Sequence, residues 1–230
     1  MNQEWEKVTI ELKTKKRNLH YNKELNLYKR ARTFDGIKAL HRWENVPLDL
    51  SKELNCLEIG SHEGQSTCYF LKHILCNPKS KLLCCDPWYV SHWNKGKEDT
   101  MLCYEDLFIV NMNNNDKHNQ VSQFRGLGSD LYKNDLFKSQ SYDVVYIDDN
   151  HTYEGTKLNL ENIYPKLSSN GVIIIDDYDK EYFNVTPTTK PEEPGFWCDP
   201  VKKAVDEFIE KEKDTIKIIY QEYQMFIGKK

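Results

Sequence analysis

From residue 54 onward, short runs in which nearly every side chain is apolar alternate with stretches whose apolar positions recur every three to four residues. The first kind reads as strands covered on both faces, the second as amphipathic helices. Strands are predicted at 54–59, 81–86, 121–125, 142–147 and 172–175, each meeting a Gly, Pro or Asp at its end. Helices are predicted at 66–75, 100–110, 130–137 and 153–167. Cys68, Phe70, Leu71 and Ile74 share one face of the first helix, and Asn77-Pro78 stops it. The stretch 168–171 reads as the end of the last helix, with Gly171 as its C-cap. Residues 111–119 read as an Asn-rich connector of little content.

Near-continuous apolar strands separated by helices predict a parallel sheet with helices on both faces. The ending departs from that repeat. Residues 183–200 hold four prolines and form an irregular insertion, followed by an amphipathic helix at 201–212 bearing Val201, Ala204, Val205, Phe208 and Ile209. Strands at 216–220 and 224–227 are too close in sequence to be parallel and must form a hairpin. The expected fold is α/β: a Rossmann-like, doubly wound, mostly parallel seven-stranded sheet with an antiparallel C-terminal strand. An N-terminal helical extension over 1–50 precedes the main domain at 51–230.

Composition supports a folded domain of this size. The 230 residues are 39% hydrophobic, 12% aromatic and 30% charged, with a mean hydropathy of −0.76. No apolar run approaches a transmembrane span and the first residues hold no apolar block, so a cytoplasmic protein without a secretory signal is expected. Seven cysteines, an odd number with no C-x-x-C pair, read as buried reduced thiols. The neighbours Cys84 and Cys85 point to opposite faces of a strand. The net charge of −4 argues against a general nucleic-acid binder. It is uneven, however: residues 1–32 carry nine Lys/Arg against four Asp/Glu. That arm, with Trp5, Tyr21 and Tyr28, reads as a solvated amphipathic helix packing its aromatics, or as a dock for an anionic substrate or RNA.

Chemistry concentrates where the strands end, and ligands of doubly wound sheets bind outside the carboxyl ends of strands. Glu58-Ile59-Gly60-Ser61-His62-Glu63-Gly64 places two glycines in a turn before a helix, allowing close approach of backbone N–H groups to a carboxylate or phosphate. Asp86 ends the second strand, placed either for ribose hydroxyls or as a turn residue. Trp88 reads as a flat face for adenine or as a core aromatic. Ser129 either caps a short helix or approaches the adenine edge. Asp148, Asp176 and Asp177 converge from neighbouring strand ends and repel one another unless a cation, a ligand amine or a proton compensates; they are hard oxygen ligands for Mg²⁺. His151 is within reach of a substrate hydroxyl as a general base, or is a surface loop histidine.

Together the segments C-L-E-I-G-S-H-E-G-Q-S-T, C-D-P-W, G-S-D-L, Y-I-D-D-N-H-T-Y-E-G and G-V-I-I-I-D-D-Y resemble the class I S-adenosylmethionine-dependent methyltransferases. The nearest likeness is the group of macrocin O-methyltransferases and cephalosporin hydroxylase-like proteins, whose fourth strand usually reads I-D-G-D-H-x-Y-E-G. The helix V-K-K-A-V-D-E-F and the strand Y-Q-M-F-I-G-K extend the likeness to about residue 229. The resemblance implies that Gly60, Ser61, Gly64, Gln65 and Ser66 hold the methionine end of S-adenosylmethionine, with Glu58 orienting the turn. By the same likeness Asp86 binds the ribose, Trp88 and Ser129 flank the adenine, and Asp148 borders the cofactor. Metal-dependent relatives imply Mg²⁺ on Asp148, Asp176 and Asp177, with His151 and Asp148 as catalytic residues. This chain departs from the pattern: Asp149 stands for the usual Gly and Asn150 for the usual Asp.

The implied activity is methyl transfer to a hydroxyl of a small molecule or sugar. A degenerate, non-catalytic methyltransferase fold serving as a scaffold remains open, as does a methyltransferase acting on RNA or protein. An NAD-dependent oxidoreductase would prefer G-x-G-x-x-G to the G-x-x-x-G found here. The N-terminal extension and residues 178–200 are placed to bound the acceptor, with Arg30, Arg32, His41, Arg42 and Trp43 as candidates. A homodimer is common among relatives of this kind.

Overall fold

The structure, a computed structural model, describes residues 20–29, 40–88, 102–179 and 198–230. Seven strands form one sheet: β3 (Asn55–Ile59), β4 (Lys81–Asp86), β5 (Val121–Arg125), β6 (Tyr142–Ile147), β7 (Leu167–Ile175), β8 (Ile216–Gln221) and β9 (Met225–Lys229). Their order is β5-β4-β3-β6-β7-β9-β8. The first five are parallel, and β9 runs antiparallel to both β7 and β8. This is the predicted mostly parallel sheet closed by a hairpin. The chain winds outward from β3 to β5, then returns to place β6 on the other side of β3. That reversal leaves a crevice between the ends of β3 and β6.

Alternate residues of each central strand feed separate cores. Val144, Tyr146, Val172 and Ile174 pack on one face, while Val145, Ile147, Ile173 and Ile175 pack on the other. Cys84 and Cys85 divide between the two faces as expected. Cys56, Cys68, Cys84 and Cys85 are buried, but Cys76 is exposed, against the expectation. It follows the helix that Asn77-Pro78 ends, where the chain has reached the surface.

Helix α1 (Gln65–Tyr69) passes into a wider π turn (Phe70–Ile74), and α2 spans Leu102–Asn115. The predicted helix at 130–137 is instead two single turns, α3 (Gly128–Leu131) and α4 (Asp135–Lys138), because Asn134 starts a new helix by accepting a hydrogen bond from the Leu136 N–H. Helix α5 (Tyr153–Ile163) ends in a 3₁₀ turn containing Pro165, and α6 covers Cys198–Lys211. Gly171 is not a C-cap: β7 already begins at Leu167, and Ser168 donates to Asp143 Oδ1 at 2.7 Å. A β-carbon on Gly171 would sit 2.9 Å from the Tyr142 carbonyl oxygen, which accounts for glycine in this strand.

The described part of the N-terminal extension is not helical over 20–29. It forms a hairpin, β1 (His20–Asn22) and β2 (Leu27–Lys29), and the later segment gives a 3₁₀ turn at His41–Asn45. Leu25, Leu27, Leu40 and Trp43 are at most 2% exposed and belong to the core beside α1 and α2. Apolar burial therefore ties these segments to the sheet. Trp5, Arg30, Arg32 and nearly all of the Pro-rich insertion lie outside the described residues.

Candidate functional site

The ladder of the sheet carries each loop to its place. Beyond the strand ends, the Gly60 N–H donates to the Cys85 carbonyl at 2.9 Å. The Asp148 N–H donates to Ile59 at 2.8 Å, and the Asp176 N–H to Ile147 at 3.0 Å. Asp148 and Asp176 thus stand one residue past adjacent parallel strands, Asp148 at the crevice and Asp176 one strand beyond it. Gly60 has φ +90°, and a β-carbon there would lie 1.8 Å from the Asp148 carbonyl oxygen. Only glycine permits this approach of the two loops.

The glycine turn is built around Glu58. Its carboxylate is fully buried, and Oε2 accepts from the Ser61 hydroxyl at 2.8 Å, the Thr67 hydroxyl at 2.5 Å and the Cys84 thiol at 3.2 Å. Burial raises its pKa; the hydroxyl hydrogen bonds oppose that rise without cancelling it. Glu58 therefore fastens Ser61 of the turn and Thr67 of α1 to one carboxylate. Gly60, Ser61, Gly64, Gln65 and Ser66 come together in that one turn and helix start. Because the Ser61 hydroxyl is spent on Glu58, what the turn offers a ligand is chiefly backbone.

Asp86 closes the neighbouring corner. Oδ2 accepts from the His62 N–H at 2.8 Å and Oδ1 from the Trp88 N–H at 2.7 Å. Burial raises this carboxyl as well, against those N–H bonds. It is a turn residue, as one reading allowed. Each oxygen keeps further lone-pair capacity for a hydroxyl donor. Trp88, expected to present a face to adenine, is 4% exposed here; its indole N–H donates to the His62 carbonyl and its ring lies 4.9 Å from that of Phe108. It packs as a core aromatic. Ser129 is not an N-cap: Leu127 holds that position and Ser129 falls inside the first turn of α3.

The acidic cluster differs in membership from the expected one. The ligand atoms of Asp148, His151 and Asp177 all lie within 4.8 Å of one another. His151 Nε2 is 3.3 Å from Asp148 Oδ1 and 2.9 Å from Asp177 Oδ2. Burial alone would lower the histidine pKa, but the two carboxylates outweigh it and hold the ring up at about 10. An imidazolium thus compensates the repulsion between Asp148 and Asp177 in this arrangement. Asp176 turns elsewhere: its Oδ1 accepts from Gln224 Nε2 at 2.5 Å, and burial followed by repulsion from Asp148 and Asp177 raises its pKa well above the ordinary range.

Asp149 leaves the cluster by accepting from Asn159 Nδ2 at 2.9 Å, and Asn159 accepts from the Tyr132 hydroxyl at 2.6 Å. Asp149 therefore belongs to a hydrogen-bonded network with Asn159 and Tyr132. Asn150 is exposed, and its carbonyl accepts from the Thr152 N–H.

Several supporting residues escaped the sequence reading. Tyr223 donates its hydroxyl to Asp177, Gln224 holds Asp176, and Tyr146 donates to Asp148 Oδ2 at 3.2 Å. Trp43, grouped with the acceptor candidates, is buried and donates its indole N–H to Gln224 Oε1 at 3.2 Å. Arg42 is exposed and pairs with Glu222 at 3.4 Å. Both residues grip the β8–β9 turn. Gln224 stood within the quoted closing motif, but a glutamine before an apolar strand gives no signal of its partner.

A sequence search of curated proteins returned no match. Structures of similar fold include the SAH-bound methyltransferase PaMTH1 of Podospora anserina, at 15% identity and TM-score 0.57, covering 100% of this chain and 97% of that one. The O-methyltransferase TomG of Streptomyces achromogenes, in complex with SAM, matches at 15% identity and TM-score 0.57, covering 99% and 97%. MycE, a methyltransferase of the mycinamycin pathway in complex with Mg, SAH and mycinamycin VI, matches at 11% identity and TM-score 0.50, covering 82% of this chain and 48% of its own. Among the described residues no helix is long and apolar enough to cross a membrane. The family model described as a methyltransferase domain matches residues 57–178, just over half of the sequence, and the chain belongs to that family.

Proposed function

We propose that this protein transfers a methyl group from S-adenosylmethionine to a hydroxyl of a small molecule or sugar, with Mg²⁺ held by Asp148 and Asp177. The observation that carries the reading is the gathering of Asp148, His151 and Asp177 beside the Gly60 turn, at the crevice of the sheet. Two carboxylates suit Mg²⁺, which takes one or two such ligands and keeps waters for the rest. The Gly60–Gly64 turn and the Asp86 corner suit S-adenosylmethionine. The similar structures described with SAM, SAH or Mg support these choices. The macrocin-type motif around His151 supports a sugar or glycoside acceptor.

When bound, S-adenosylmethionine supplies an electrophilic methyl group and Mg²⁺ supplies a charge that lowers the pKa of the acceptor hydroxyl. The remaining work falls to the chain's own residues. Asp86 and the glycine turn fix the donor, so that the acceptor need only be held in line. Asp148 and Asp177 would hold the cation, whose charge would stand in for the imidazolium that pairs with both carboxylates here. His151 Nε2, on a neutral ring, would be the atom that accepts the proton of the acceptor hydroxyl. Gln224 keeps Asp176 out of the cluster, and Tyr223 fixes the rotamer of Asp177.

Transfer of labelled methyl from S-adenosylmethionine across a panel of hydroxyl compounds, with and without Mg²⁺, tests the reading. Metal-stimulated transfer is expected. No transfer to any acceptor, with the donor bound, would favour the scaffold. His151→Ala should lower turnover by about 100-fold while leaving S-adenosylhomocysteine affinity within about twofold. Equal turnover of variant and wild type would remove His151 from the mechanism.

A further inference from the structure

Helix α2 ends in a run of asparagines, and Asn111 within it is fully buried. Its side-chain amide makes three hydrogen bonds. Oδ1 accepts from the Tyr28 N–H at 2.8 Å, and Nδ2 donates to the Tyr28 carbonyl at 3.0 Å and to the Glu63 carbonyl at 2.7 Å. The first two bonds treat β2 as a neighbouring strand would, taking both polar groups of one residue. The third holds the turn between β3 and α1. One acceptor with two donors is what an amide supplies, and neither aspartate nor leucine can meet all three groups.

Other contacts hold the hairpin without touching that turn. Asn115 Nδ2 donates to the Asn26 carbonyl at 3.0 Å and lies within hydrogen-bond reach of the Asn111 carbonyl and Cys68 Sγ, and Lys72 Nζ donates to the Glu24 carbonyl at 2.8 Å. Independently, α2 presses on the turn itself. Gly64 has φ +85°, and a β-carbon there would lie 3.0 Å from Met112 Cε and 3.1 Å from a Phe108 ring carbon. Helix α2 is therefore a plate with the hairpin on one part and the glycine turn on another, and Asn111 bonds to both.

We infer that Asn111 is a positioning residue for the cofactor turn, and that through it the β1–β2 hairpin and the S-adenosylmethionine site form one unit. This rests on the reading of that turn as the S-adenosylmethionine site. Ordering the turn by a ligand fixes the Glu63 carbonyl, hence the Asn111 amide, hence Tyr28. Loss of the Asn111 donors frees the turn and lowers affinity although Asn111 lies outside the glycine motif.

The test is calorimetric titration of the full chain with S-adenosylhomocysteine, comparing wild type, Asn111→Asp and Asn115→Ala, together with amide hydrogen exchange of the wild type with and without that ligand. Asn111→Asp should bind about tenfold more weakly, whereas Asn115→Ala, which loosens the same hairpin, should stay within about twofold. Ligand should slow exchange of the Tyr28 amide by at least about threefold. Unchanged affinity in Asn111→Asp overturns the inference, as does an equal loss in Asn115→Ala. Should Asn111→Asp not fold, the wild-type exchange decides, and a Tyr28 amide indifferent to ligand overturns it. A wild type that binds no S-adenosylhomocysteine overturns the cofactor reading and this inference with it; binding by wild type with normal affinity in Asn111→Asp overturns the inference alone.

Discussion

Glu58 shows how a single side chain serves both folding and the site. Its carboxylate has no exposed surface, and three donors converge on Oε2. Burial raises the pKa, so the folded chain binds this proton more tightly than the unfolded chain does. Stability contributed by Glu58 must then fall as pH rises from the ordinary carboxylate range through the raised native value. Glu58→Gln has no such proton to lose. The difference in thermal midpoint, wild type minus variant, is expected to become more negative with rising pH, measured by scanning both proteins from acid to neutral. Asp86, Asp149 and Asp176, whose pKa values are also raised, are present in both proteins and cancel to first order. Parallel curves would contradict the burial argument.

Between elements, the site depends on how closely the ends of β3 and β6 approach. Gly60→Ala puts a β-carbon into the Asp148 carbonyl and asks an L residue to hold φ +90°. A loss of at least about 3 kcal/mol is expected in denaturant unfolding, and a change below about 1 kcal/mol would mean that the loops can part. The strands themselves were legible because both faces of a parallel sheet are covered, which writes them as apolar runs such as Tyr142–Ile147. Boundaries decided by polar residues were not. Ser168, Ser169 and Asn170 read as a helix end, yet they extend β7 at the margin of the sheet, where polar side chains reach solvent. Asn111–Asn115 read as a connector because asparagine is a poor helix former. Long-range bonds to Tyr28, Asn26 and Glu63 override that propensity, and nothing local in the sequence announces them.

For the molecule as a whole, the described parts of the N-terminal extension belong to the core. Trp43 is 1% exposed and meets Tyr69, Phe70 and Tyr146 edge-on, with ring centroids 4.7–5.4 Å away. Its N–H to Gln224 continues through Gln224 to Asp176, so the extension reaches the neighbour of Asp177 by two hydrogen bonds. Trp43→Phe keeps most of the apolar volume but leaves Gln224 Oε1 buried without its donor. A loss of about 1–3 kcal/mol is expected from urea unfolding, and an unshifted midpoint would show that this bond contributes nothing. The sequence pointed to the strand-end acids and glycines through their place after apolar runs. It could not show that His151 rather than Asp176 joins Asp148 and Asp177, because that choice is made by Gln224, 48 residues beyond Asp176.

The central claim, that the crevice between β3 and β6 binds S-adenosylmethionine, is tested most directly by calorimetric titration with S-adenosylhomocysteine. Wild type and Asp86→Ala would be compared, with thermal midpoints confirming that both are folded. Saturable one-to-one binding by the wild type, weakened at least about tenfold in Asp86→Ala, is the predicted result. A folded wild type that gives no binding, or an Asp86→Ala variant that binds as tightly, would contradict it.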